Sequence, residues 1–203
     1  MKSLLYYIGV FLILISVSAC SKELHEGDLV FHSSASSQSK AIQLATHSKY
    51  SHVGILFKKN GEWRVLEALE TVQYTPFHLW VKQGVNSGYA VKRLKNADKA
   101  LDAKTVEKMR ATGESFIGKS YDYRFELSDE RLYCSELVWK IYKMVLNVEI
   151  GNPAEVESFD FSSEEVKRKL DEYFGGKVPK NHDKVISPAE IFDSVLLKMV
   201  IEK

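Results

Sequence analysis

The chain has 203 residues, with 28 basic and 27 acidic side chains and a formal net charge of +1 at neutral pH. This length suits one domain with a substantial core. A charge balance so close to neutral argues against a protein that binds nucleic acid. Nothing in the composition calls for a metal ion or an organic cofactor.

The N-terminus has the features of a secretory signal peptide. Lys2 is followed by an apolar stretch over 4–17, which is shorter than the ~20 residues that a membrane-spanning helix needs. The letters VSAC at 17–20 resemble a bacterial lipobox, in which Cys20 becomes the acylated first residue of the mature protein. A plain membrane anchor is the alternative. The predicted parts of the chain are a lipoprotein signal peptide at 1–19, a lipidated tether at 20–26 and a single domain at 27–203.

This N-terminus also predicts where the protein acts. A lipid on Cys20 would hold the domain at a membrane of the bacterial cell envelope, on the outer membrane or facing the periplasm. Loss of 1–19 removes Lys2 and no acidic residue, so 28 basic residues become 27 and the mature charge falls to zero.

The pattern of apolar residues from 27 onward predicts one α+β domain, with a small antiparallel sheet packed against helices. Ser162 and Glu165 have the spacing of a capping box, and Ser187 followed by Pro188 is typical of the start of a helix. The predicted strands cover 27–31, 51–58, 63–69 and 89–94. The predicted helices cover 36–46, 101–117, 134–146 and 162–175, and a last helix begins at 187.

The second and third strands are predicted to form a hairpin that brings a histidine close to a carboxylate. Asn60-Gly61 is a strong signal for a two-residue type I′ turn, which would pair Lys59 with Glu62. In that register His52 and Glu67 share one face as diagonal neighbours, roughly 7–8 Å apart. A carboxylate at one imidazole nitrogen would leave the other nitrogen free to act as a base. The alternative is a strand-end histidine and a solvated glutamate, and a slip of one residue would separate the two.

Cys134 is the candidate nucleophile. It is the single cysteine of the mature chain apart from Cys20, and it opens the helix predicted at 134–146. A thiol at a helix N-terminus faces unpaired backbone N–H groups, which favour the thiolate. The alternative is a small buried hydrophobic residue. Together with His52 and Glu67, Cys134 would complete the nucleophile, base and orienting group of a thiol hydrolase.

Several motifs, in this order, resemble the YiiX/YaeF group of permuted papain-like amidases, which are related to the NlpC-type cell-wall peptidases. The matching letters are GDLVF at 27–31, SQSKAIQLATHS at 37–48, YSHVG at 50–54, GKSYD at 118–122, YCSE at 133–136 and SP at 187–188. The resemblance implies a papain-like fold in which His52 precedes Cys134, and it implies Glu67 as the third member of the site.

The implied chemistry is acyl transfer through a thioester on Cys134. The backbone N–H of Cys134 and a second donor would stabilise the oxyanion. The candidates for this second donor are Tyr121, Tyr123 and Tyr133, with Tyr121 and Tyr133 preferred. Each of them is alternatively an aromatic residue of the core.

Two other patterns are assigned no function. The letters GESFIGKS at 113–120 match a phosphate-binding loop, but they follow a charged helix instead of a buried strand. His25, His32, His47 and His52 have no acidic or cysteine partner at a metal spacing, so we expect solvated or hydrogen-bonded histidines.

Three functional hypotheses remain. The first is a cysteine amidase or peptidase that acts on cell-wall peptides or small acyl amides. The second is a lipid acylhydrolase or acyltransferase with the same Cys-His pair. The third is a ligand-binding lipoprotein of the cell envelope that has the fold without turnover.

Overall fold

The computed structural model describes residues 23–176 and 184–203. The predicted signal peptide and Cys20 lie outside the described residues. Within the predicted tether, the carbonyl of Glu23 accepts a hydrogen bond from Arg93, and Glu26 pairs with Arg110. This part of the tether therefore packs against the domain. No helix in the described part of the chain is long and apolar enough to cross a membrane.

The predicted α+β class is confirmed. The strands of the described residues are β1 (Leu29–His32), β2 (His52–Lys59), β3 (Glu62–Ala68), β4 (Val72–Pro76), β5 (Ala90–Leu94), β6 (Ala154–Glu155), β7 (Lys184–Val185) and β8 (Leu197–Glu202). Six of them form one antiparallel sheet in the order β4-β3-β2-β1-β5-β8, and β6 and β7 form a separate pair.

The helices flank this sheet and carry the side chains that build the core. They are α1 (Ser37–Thr46), α2 (Phe77–Gln83), α3 (Ala97–Ala100), α4 (Ala103–Glu114), α5 (Cys134–Leu146), α6 (Glu164–Phe174) and α7 (Pro188–Phe192). One face of the sheet packs against α4 and α5 through a fully buried apolar cluster that includes Ile55, Leu66 and Leu137. The opposite face packs against α2 through a smaller cluster that includes Leu56, Val65 and Trp80.

The predicted hairpin register is confirmed. Lys59 pairs with Glu62 across the Asn60-Gly61 turn, and Ile55 pairs with Leu66. Gly54 allows this close pairing at the far end of the hairpin, because a Cβ there would lie 2.3 Å from Cγ1 of Val65 and 2.9 Å from the carbonyl oxygen of Leu66.

Helix boundaries differ from the predictions at two places. Helix α4 is shorter than the helix predicted at 101–117. Asp102 caps its start by accepting from the backbone N–H of Thr105, and the helix ends at Glu114. The cap of α6 is Ser163 instead of Ser162, since the Ser163 hydroxyl accepts from Val166. The predicted starts of α5 and α7 are confirmed.

Three elements of the sheet region were not predicted. Strands β4 and β8 lie at the two edges of the sheet, and α2 follows β4 directly.

The phosphate-loop pattern at 113–120 has no phosphate-loop structure, because Gly113 lies inside α4 against the side chains of Leu66 and Ile141.

Candidate active site

Cys134 is the first residue of α5, and only 2% of its surface is exposed. Its thiol interacts with the imidazole of His52, with the backbone of Val53 and with the side chain of Ser135. Helix α5 packs on one face of the sheet, whereas alternation along β2 directs His52 toward the opposite face. The two side chains meet because His52 is the first residue of β2, at the end of the sheet.

The other side of the His52 ring faces a buried carboxylate. Nε2 of His52 lies 2.6 Å from Oε2 of Glu67, and the Glu67 side chain is fully buried. The same carboxylate oxygen accepts a hydrogen bond of 2.8 Å from Nε1 of Trp80. Because Nε2 is engaged by Glu67, Nδ1 is the nitrogen of His52 that faces the thiol.

The electrostatics of the site favour an ion pair between Cys134 and His52. Burial raises the pKa of the Cys134 thiol, but the charge of His52 and its hydrogen bond lower that pKa by more, so the net shift is downward. Burial lowers the pKa of His52, but the charge of Cys134 and the contact with Glu67 act in the opposite direction and raise it to about 10. A lowered cysteine pKa beside a raised histidine pKa favours the thiolate and imidazolium form of the pair.

The structure distinguishes the candidate tyrosines. The hydroxyl oxygen of Tyr121 accepts a hydrogen bond from Nε2 of Gln38 at 3.2 Å, so its own hydrogen remains available to donate. Burial, followed by the charge of Cys134, raises the pKa of Tyr121 well above its ordinary value and keeps it protonated. The hydroxyl of Tyr133 accepts from the backbone N–H of Ile186, inside the core. Tyr123 is 43% exposed and packs against the Tyr121 ring.

Two cavities adjoin this group of side chains. A cavity of about 140 Å³ reaches Cys134 and has a mostly apolar wall from α1, α6 and the segments around them. Its apolar wall includes Ile42, Phe159, Phe161, Leu170, Tyr173 and Ile186. A second cavity of about 460 Å³ reaches His52 and is lined mainly by polar side chains. Gln38, Ile42 and Tyr121 belong to the walls of both.

Two residues of this region had not been singled out as part of the site. Trp80 lies on α2, which the sequence did not predict, so its contact with Glu67 had no signal in the sequence. His32 was expected to be solvated or hydrogen-bonded, and that prediction is wrong. Its ring is 5.0 Å from that of His52 and 4.3 Å from that of Trp80, and neither ring nitrogen has a hydrogen-bond partner. His47 does match the expectation, because it is exposed and pairs with Asp160 at 3.2 Å.

A sheet packed against a helix that begins with a buried cysteine, with the histidine strand earlier in the chain, defines the class of circularly permuted papain-like proteins. The family described as permuted papain-like amidase enzymes, YaeF/YiiX, C92 family, matches residues 23–201, and the chain belongs to this family. The resemblance found in the sequence is thereby confirmed.

Two relatives show how much of the chain the similarity covers. The chain is 40% identical over 191 residues to a protein of Escherichia coli strain K12 named uncharacterized protein YiiX, covering 94% of this chain and 93% of that protein. The crystal structure of a protein named metalloprotein yiiX from Escherichia coli O157:H7 matches with a TM-score of 0.82 at 40% identity. That match covers 88% of this chain and 97% of the other. Among the described residues here, no three His, Cys, Asp or Glu side chains form a group that could hold a metal ion.

Proposed function

We propose that the protein is a thiol hydrolase that cleaves acyl amides through a thioester on Cys134. The observation that carries this proposal is the chain of interactions from the thiol through His52 to the buried carboxylate of Glu67. Membership of an amidase family supports an amide as the substrate. A nucleophile, a base and an orienting carboxylate in direct contact are the parts that acyl transfer requires.

In the first half of the reaction, Nδ1 of His52 holds the proton of the Cys134 thiol and the thiolate attacks the amide carbonyl carbon. A C–S bond forms and the carbonyl oxygen becomes an oxyanion. When the tetrahedral intermediate collapses, the C–N bond breaks and His52 gives its proton to the departing amine. In the second half, His52 takes a proton from water, and the resulting nucleophile displaces the thiolate to release a carboxylic acid.

The oxyanion would meet two donors. One is the backbone N–H of Cys134 at the start of α5, where helix N–H groups are unpaired. The other is the Tyr121 hydroxyl, since Gln38 occupies its acceptor site and leaves its hydrogen free. Tyr133 supports α5 instead, because its hydroxyl is engaged with the backbone of Ile186.

The apolar cavity supports a substrate with an apolar acyl part. It opens at Cys134, whose sulfur would carry the acyl group. Phe159, Phe161 and Leu170 line it. Burying a hydrocarbon chain there would contribute roughly 0.8 kcal/mol for each CH₂ removed from water. Small acyl amides therefore fit better than polar cell-wall peptides. The same observation favours a second candidate function, the hydrolysis or transfer of a lipid acyl ester by the same residues.

We also propose that the protein acts at a membrane of the bacterial cell envelope, held by a lipid on Cys20. Glu23, three residues after that cysteine, already contacts Arg93 of the domain, so the domain would lie close to the anchored end. An enzyme in this position would meet amphiphilic substrates at the membrane surface.

The decisive experiment is acylation of the chain carrying Cys20→Ser, in which Cys134 is the sole thiol. Incubation with p-nitrophenyl decanoate followed by intact mass spectrometry should show one acyl group, located on Cys134. His52→Ala should slow acylation by at least about a hundredfold, the usual contribution of a general base, while His47→Ala serves as the matched control. Acylation at the same rate in His52→Ala would refute the proposal and leave a binding protein with a buried cysteine.

A further inference from the structure

The cavity beside His52 differs in chemistry from the apolar cavity beside Cys134. Most of its lining residues carry a hydroxyl or an amide group. They include Ser34, Ser36, Ser39, Ser51, Gln73 and Gln83. A wall of this kind can donate and accept several hydrogen bonds, which suits a polar ligand.

The wall of this polar cavity contains an unsatisfied buried group. His32 is 3% exposed, lines the cavity, and has no hydrogen-bond partner at Nδ1 or Nε2. Buried polar groups without partners are rare and costly, and a ligand that supplies the partner relieves the cost. Burial, followed by the charge of His52, lowers the pKa of His32 to about 3, against a smaller opposing effect of the Ser33 backbone. The ring is therefore neutral, with one donor and one acceptor nitrogen.

The same wall offers no uncompensated cation to a ligand. None of its described lining residues is lysine or arginine, and its single carboxylate is the exposed Glu70. The positive charge of His52 is balanced by Glu67 at 2.6 Å. By contrast, Arg124 and Lys169 both line the apolar cavity. An anionic group in the polar cavity would lose hydration without gaining a counter-charge.

The two cavities adjoin different members of the reacting pair. Cys134 lines the apolar cavity, His52 lines the polar one, and the hydrogen bond from Gln38 to Tyr121 lies in the wall that they share. A carbonyl carbon attacked by Cys134 therefore has its acyl side toward the apolar cavity. The nitrogen that receives a proton from His52 has its substituent toward the polar cavity.

We propose that the polar cavity is the leaving-group subsite, and that it accepts a hydroxyl-bearing or positively charged amine but excludes one that carries a phosphate, sulfonate or carboxylate close to the scissile bond. This inference rests on the proposed acyl transfer. It names the preferred substrate as an apolar acyl chain joined to an uncharged or cationic polar amine. His32 is a binding residue that contacts the amine side.

The test compares three substrates with one acyl chain and different amines: decanoyl ethanolamide, the decanoyl monoamide of ethylenediamine, and decanoyl taurine. We expect kcat/KM for the neutral and cationic amides to exceed that for the anionic amide by at least about tenfold, which is the effect of a 1.4 kcal/mol difference in the transition state. p-Nitrophenyl decanoate, whose leaving group needs no proton, reports acylation of Cys134 separately.

Two variants and one control link the preference to the cavity. Gln73→Lys places a cation in its wall and should narrow the preference against decanoyl taurine several-fold. His78→Lys adds the same charge on the exposed side of α2, outside the cavity, and should leave the preference unchanged. His32→Phe should lower the ratio of kcat/KM on the ethanolamide to that on the ester by about tenfold, the factor for one lost hydrogen bond to a buried group.

The outcomes separate the two proposals. If the ester acylates Cys134 but decanoyl taurine is hydrolysed as well as the ethanolamide, the leaving-group subsite is refuted and the thiol hydrolase stands. Equal losses on amide and ester in His32→Phe would show a purely structural role and would also refute it. If the ester fails to acylate Cys134, the proposed function fails and the subsite falls with it.

Discussion

Replacing Glu67 by glutamine tests the electrostatic role of this carboxylate with little change in shape. In the native site one oxygen, Oε2, accepts from both His52 and Trp80. The indole N–H of Trp80 can only donate. It therefore holds the amide oxygen of a glutamine at the point that Oε2 occupies, and the NH₂ group takes the place of Oε1, which has no partner. His52 keeps its orientation and its tautomer, and only the negative charge is lost.

The magnitude follows from the difference between charged and neutral hydrogen bonds. A bond to an ionised group contributes roughly 1.5–3 kcal/mol and a neutral bond about 1 kcal/mol. Glu67→Gln should therefore destabilise the imidazolium of His52 by about 1–2 kcal/mol, which lowers kcat/KM roughly 5- to 30-fold. The pKa of Cys134 should rise, because the charge of His52 is what lowers it. The free energy of unfolding should fall by about 1–3 kcal/mol, because the NH₂ group is buried where Oε1 has no partner.

The assay is the pH dependence of Cys134 alkylation by iodoacetamide, measured in the Cys20→Ser background together with kcat/KM on the amide. Trp80→Phe combined with Glu67→Gln is the informative control. Without the indole N–H, the amide is free to turn its NH₂ toward His52, and the double variant should lose more than the product of the single losses. An unchanged alkylation profile and unchanged turnover in Glu67→Gln would show that the carboxylate does not act on His52.

Three further predictions concern the same region. In His52→Ala the Cys134 thiol loses the two largest influences that lower its pKa, while burial still raises that pKa, so alkylation at pH 7 should fall at least about tenfold; an equal rate would contradict the ion pair. Gly54→Ala should cost about 1–3 kcal/mol of unfolding free energy in urea, and also activity, because its Cβ would overlap Val65; a stable, active variant would show that the strands can separate there. His32, with its pKa lowered to about 3, stays neutral in the folded state while the unfolded chain takes up a proton below pH 6.5, so stability should fall as pH falls from 6.5 toward 3. By pH 5 the loss should be about 2 kcal/mol, and an equal loss in His32→Phe between pH 8 and pH 5 would refute this assignment.

The hairpin shows how local chemistry predicts a register. Asn60-Gly61 adopts a tight turn because both residues accept positive φ, at 54° and 80°. Once Lys59 faces Glu62, strand alternation places His52 and Glu67 on one face without any further information. The caps Ser36, Asp102 and Ser187 are likewise local, since each side chain bonds to a backbone group three residues ahead.

The local sequence pattern did not predict the elements at the edges of the sheet. Strand β8 lies at the end of the chain and pairs with β5, which precedes it by about a hundred residues, through a contact with no local signature. The short helix α2 follows β4 directly and has no side-chain cap, so it lacks the start signal found at α1 and α7. Its position is set by Trp80 entering the cluster beneath the sheet.

The elements whose causes lie within a few residues follow from the sequence: the turn, the starts of α5 and α7, and the alternation of β2 and β3. The meeting of Cys134 and His52 around the end of a strand, from opposite faces of the sheet, depends on the packed fold. The packed fold also decides that Trp80 donates to Glu67, and that His32 is buried without a partner beside a polar cavity. Contacts between distant segments, burial and the resulting pKa shifts depend on how whole layers pack. The pattern of neighbouring residues in the chain does not indicate this packing.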